Sequence, residues 1–122
     1  MVTLTPHAYA ELARRVAASE RPDPYVTVCW VTAVFDLARS PEGKAVWKEE
    51  SPAQWRVFVR GFPNEFETEE EQRDFEAFRK FIEERLVPVE GLRVYFSPAG
   101  SGATDVTVDF AAGQFRVEQR AV

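Results

Sequence analysis

The chain has 122 residues, 45% of them hydrophobic and 29% charged, which is the composition of one folded domain spanning 1–122. Its 15 Lys and Arg against 20 Asp and Glu leave a net charge of −5. That argues against nucleic acid or an anionic membrane as partner, because both need a basic face. One cysteine, Cys29, and one histidine, His7, exclude an intramolecular disulfide, a multi-thiolate metal site and a two-His motif within the chain. No cofactor is expected on those grounds. The first residues lack the basic start and apolar core of a signal peptide, so a cytoplasmic protein is the default expectation.

Val2-Thr3-Leu4 reads as a short strand or extended lead-in. Thr5 suits an N-cap and Pro6 the first helical position, where its missing N–H costs nothing. Leu4 and Tyr9 have the spacing of a hydrophobic staple. Tyr9, Leu12, Ala13 and Val16 then recur at helical spacing until Arg21-Pro22-Asp23-Pro24 ends the helix. From Tyr25 to Ala38 the residues predict a long strand rich in Val, Thr and aromatics. Both of its faces are largely apolar, so it must be covered on both sides, bent by a bulge or capped by another subunit. The run contains Asp36 and is too short to cross a membrane as a helix.

Ser40-Pro41-Glu42-Gly43 is a turn signal, and Lys44 to Glu49 is expected to return as a hairpin strand. After Ser51-Pro52, Trp55 to Gly61 forms the next strand, with Trp55, Val57 and Val59 on one face. Thr68 and Glu71 form a T-x-x-E capping box, opening a helix to about Leu86 with a stripe of Phe75, Phe78, Ile82 and Leu86. Three closing strands follow at Leu92–Phe96, Val106–Phe110 and Phe115–Ala121. Leu92, Val94, Phe96, Val106, Val108, Phe110, Phe115 and Val117 are predicted to face the core. The resulting fold class is α+β, with two helices packed on a mostly antiparallel, aromatic-rich β-sheet.

This order of elements resembles the A-type iron–sulfur carrier proteins, the HesB-like or IscA-like family. The opening Val2-Thr3-Leu4-Thr5-Pro6-His7-Ala8 is similar to that family's first strand and helix. Gly91-Leu92-Arg93-Val94-Tyr95-Phe96-Ser97-Pro98 is similar to its hydrophobic strand ending in Asp-Pro. Gly102 to Phe110 is similar to its Gly, apolar, Asp-Tyr/Phe segment, and Phe115-Arg116-Val117 to the strand before its last motif. The family holds iron or a cluster through three cysteines, two of them in a C-terminal Cys-Gly-Cys, and this chain has only Cys29. The resemblance therefore implies the fold without the cluster ligands.

Several residues invite a chemical reading and favour a plainer one. Cys29 lacks any cue for a lowered pKa and reads as a small buried hydrophobe. His7, in a first helical turn, reads as a surface or capping residue. Glu65, Glu67, Glu69, Glu70 and Glu71 lack calcium-loop spacing and suit a helix N-terminus instead. Asp105 and Asp109 would lie about 14 Å apart along one strand, too far for a catalytic carboxylate pair. Ala99 to Ala103 precedes a strand, whereas phosphate loops open a helix.

The candidate interaction surface is Trp30, Val28, Trp47 and Trp55, because aromatic side chains dominate interfaces as well as cores. The leading expectation is a non-catalytic binding or protein-interaction module, forming a homodimer or binding a protein partner. One alternative is a small-molecule-binding protein or enzyme with a pocket between helix and sheet. The other is a degenerate relative of the iron–sulfur carriers that binds no cluster itself.

Overall fold

The computed structural model describes residues 1–120. Thr5 caps the first helix, its hydroxyl accepting the Ala8 N–H at 3.2 Å, with Pro6 at the first helical position. Helix α1 (Pro6–Ala17) follows strand β1 (Val2–Leu4) and buries Ala8 and Leu12 completely. Tyr9, the outer half of the expected staple, remains 37% exposed. Beyond the helix come β2 (Tyr25–Val31), β3 (Val34–Arg39), β4 (Ala45–Ser51) and β5 (Gln54–Arg60). Helix α2 (Glu69–Glu83) and the strands β6 (Val87–Val89), β7 (Leu92–Ser97), β8 (Asp105–Ala111) and β9 (Gln114–Arg120) complete the described chain. The expected last residue of the closing strand, Ala121, lies outside the described residues.

The strands form three sheets, in the orders β5-β2-β7-β6, β1-β8-β9 and β3-β4. β2 pairs in parallel with β7, and β1 with β8, while the other strand pairs among the described residues are antiparallel. The fold is α+β. The two larger sheets meet at both edges, β5 beside β9 and β1 beside β6, without a ladder across either seam. They enclose one core of Val2, Leu4, Leu12, Val26, Val28, Val94, Val106 and Val108, with α1 packed into it. The eight apolar residues expected to face inward from the closing strands all belong to this core or pack on it.

Helix α2 packs on the other face of β2 at its Tyr25 end. Ile82 packs with Tyr25 and Phe62, and Leu86 and Tyr95 border that cluster. Thr68 accepts the Glu71 N–H at 3.1 Å, and Glu69, Glu70 and Glu71 fill the first turn, where carboxylates complement the helix dipole. The helix stops at Glu83, before Leu86, and of its predicted stripe only Ile82 is buried; Phe78 remains 40% exposed.

The long strand expected over Tyr25–Ala38 is two strands. The ladder lapses at Thr32 and Ala33, and the register shifts between Val34 and Phe35. That shift leaves Glu50 as the extra residue of a bulge, a device that bends a strand out of its sheet. β2 stays in the core and β3 leaves it, pairing with β4 as a separate two-stranded arm.

Candidate functional site

The sequence-derived surface of Trp30, Val28, Trp47 and Trp55 is divided among three environments. Val28 is 0% exposed and belongs to the core, which corrects its assignment to a surface. The reason is alternation: Val26 and Val28 point to the side of β2 that meets α1 and the second sheet, so both are enclosed.

Trp30 and Trp55 face each other across the β2–β5 ladder and are half-buried. Their rings meet edge to face at 5.5 Å, and Trp55 stacks on Phe96 at 6.1 Å. These geometries suit the ring quadrupole. The Trp55 Nε1–H donates to Gln119 Oε1 at 3.0 Å, joining β5 to β9 across an open seam. The Gly100 turn sits against Trp30, its φ of +87° being one that glycine adopts without strain. This cluster closes one end of the core and is packing first, surface second.

Trp47 is different. It lies on the arm and is 73% exposed. The cross-strand pairs Phe35 with Glu49, Leu37 with Trp47 and Arg39 with Ala45 place six side chains on one face in three rows. Phe35 is 54% and Leu37 57% exposed, so the centre of that face is an uncovered apolar patch. Asp36, Ala38, Val46 and Lys48 occupy the opposite face. The turn that makes the arm is short. Gly43 N–H donates to Ser40 O and Ser40 N–H to Lys44 O, both at 2.8 Å. Pro41 presets the turn, and Gly43 supplies the positive φ of 82° that a three-residue loop needs.

Phe35 and Leu37 were absent from the sequence-derived surface. The Ser40–Gly43 turn signal carried the information, since registering the two strands from that turn sets Leu37 opposite Trp47.

Elsewhere the candidate residues are mostly separated. Cys29 is half-buried, on the outer face of β2, with Arg56 and Ser97 beside it in the neighbouring strands. Burial raises its pKa against the opposing pull of Arg56 and Arg60, so the group at neutral pH is the weakly nucleophilic thiol. Asp105 pairs with the N-terminal ammonium at 3.0 Å. Asp109 accepts the Thr5 hydroxyl at 2.6 Å. That bond, then the Phe110 N–H, lowers its pKa. The Ala99–Ala103 segment joins β7 to β8 and opens no helix. Among the described residues, no group of three or more His, Cys, Asp or Glu side chains is placed to hold a metal ion.

His7 lines an open notch of about 600 Å³ between α1 and the end of β8, with Glu11, Arg14 and Phe110. Glu11 is engaged by Arg14 at 2.6 Å and Arg15 at 2.9 Å, hydrogen bonds that hold its pKa down at about 2. A more apolar cavity of about 320 Å³ lies at the β1/β6 seam, lined by Val2, Val87, Val89 and Phe96. The chain matches no family model, and no curated protein or solved structure matches it.

Proposed function

We propose that the protein is a non-catalytic protein-interaction module whose working surface is the Phe35–Leu37–Trp47 face of the β3–β4 arm. The supporting observation is an arm that leaves the body with its three largest apolar side chains aligned on one side and more than half exposed. An isolated two-stranded hairpin is marginally stable in water, so one with an apolar face gains from being covered. A tryptophan at the centre of such a patch is a typical anchor for a partner.

Photo-crosslinking tests the reading. A photoreactive side chain at position 37 should crosslink to protein in the cell, and one at position 48, on the opposite face, should not. Absence of crosslinks from position 37 would overturn the proposal.

The notch between α1 and β8 favours a second reading, a small-molecule site served by His7, Glu11 and Arg14. A thermal-shift screen separates the two, because a ligand at about 100 times its Kd adds ~2.7 kcal/mol. In either reading we expect no iron–sulfur cluster, since one cysteine per chain falls short of the several thiolates that hold one. Anaerobic reconstitution should leave the protein colourless, and stoichiometric iron and sulfide lost in Cys29→Ser would reverse this conclusion.

A further inference from the structure

Building on the interaction-module reading, we propose that the arm's apolar face is covered by the same face of a second copy of this chain. The two arms stack antiparallel, tip against base. The argument is the charge pattern of the three rows. At the base, the Phe35–Glu49 row carries a negative charge; at the tip, the Arg39–Ala45 row carries a positive one. The Leu37–Trp47 row lies midway, about 7 Å from each.

Two such faces related by a two-fold axis have two ways to meet. An axis along the strands sets each row on its own copy, Glu49 near Glu49 and Arg39 near Arg39, and brings the two bodies to the same end. An axis across the strands, through the middle row, sets the base row of one arm over the tip row of the other. Glu49 of each copy then meets Arg39 of the other, twice. Arg39 also lies over the Phe35 ring, a favourable place for a guanidinium. Leu37 packs on Leu37 and Trp47 on Trp47, while the bodies stand at opposite ends. Such a contact is self-complementary in the manner of closed two-fold dimers. Arg39 already donates one N–H to Gly43 O at 3.1 Å, which leaves other guanidinium donors for the carboxylate.

The area sets the strength. Given their exposures, Phe35, Leu37 and Trp47 offer roughly 400 Å² per arm. Two arms together fall short of a standard interface of about 1,600 Å², so the dimer belongs in the weak class.

Sedimentation equilibrium from low to high micromolar concentration tests this, with circular dichroism confirming that each variant is folded. The wild type should approach twice 13.9 kDa at the upper end. Arg39→Glu and Glu49→Arg should each weaken association by about tenfold, and the double charge swap should recover most of the loss. Raising the salt should weaken the wild-type dimer. Single swaps without effect, or a double swap that fails to recover, would overturn the two-fold pairing. A chain monomeric throughout, whose position 37 crosslinks to a different protein, would overturn the second copy but leave the module reading standing. A monomer without crosslinks from position 37 would overturn both.

Discussion

Strands β2 and β3 come from one apolar run and alternate in the same way, but their surroundings differ. β2 has β5 on one edge and β7 on the other, α1 and the second sheet against one face, and α2 against the Tyr25 end of the other. Tyr25, Val26 and Val28 are accordingly at most 1% exposed. β3 has β4 on one edge and no ladder on the other among the described residues. Its Val34, Phe35 and Leu37 are all more than two-fifths exposed. Hydrophobicity sets how much a strand gains from being covered, while the number of neighbours available sets whether it is covered. Where the second falls short of the first, an interface is the natural outcome.

The largest test of this contrast is a charge in β2. Val28→Asp places an unpaired carboxylate in a fully buried site, and the cost should exceed about 4 kcal/mol, a large part of the ~5–15 kcal/mol stability of an ordinary domain. A cooperative urea transition with a loss under about 1 kcal/mol would show that β2 is not enclosed as described.

The Trp30–Trp55 pair is intermediate between the two regions. Trp30→Ala should cost about 2 kcal/mol, less than the 3–5 kcal/mol of a fully buried aromatic. A double-mutant cycle with Trp55→Ala should return a coupling of about 0.5–1.5 kcal/mol. Coupling near zero would assign both rings to the surface, with the arm.

Thr5→Ala removes the cap of α1 and the hydroxyl bound to Asp109, and should cost about 1 kcal/mol. It should also let the Asp109 pKa rise toward its ordinary value. The acid limb of stability is linked to the same region. Asp109 and Glu11 have pKa values lower folded than unfolded, so their stabilisation is present above the unfolded values and lost as pH falls through the folded ones. For Glu11 that window runs from about 4.5 down to about 2. Side-chain NMR titration of the two carboxyls checks both directions.

The smallest effect belongs to the arm. Trp47→Asp should change monomer stability by less than about 0.5 kcal/mol, because its ring is already mostly in water. A large loss in dilute solution would mean that the arm packs on the body.

Much of the architecture was legible from residue order. The Thr5-Pro6 start, the Thr68 cap and the inward alternation of Leu92 to Val117 depend on neighbours within a few positions, and those rules operate locally. Glycine and proline signals placed the arm's turn for the same reason. Val28 and Trp47 carry no local mark to tell them apart, since both are large apolar residues in alternating strands. Tertiary structure separated them, because burial depends on which distant segments arrive: β7 pairs with β2 from 68 residues further along, Val26 against Val94, and stops short of β3. The break at Thr32–Ala33, β6, the partial exposure of α2 and the two open seams between the sheets were decided the same way. Local chemistry determined which segments become helix, strand or turn, and competition for neighbours over long sequence separations decided which faces stay bare.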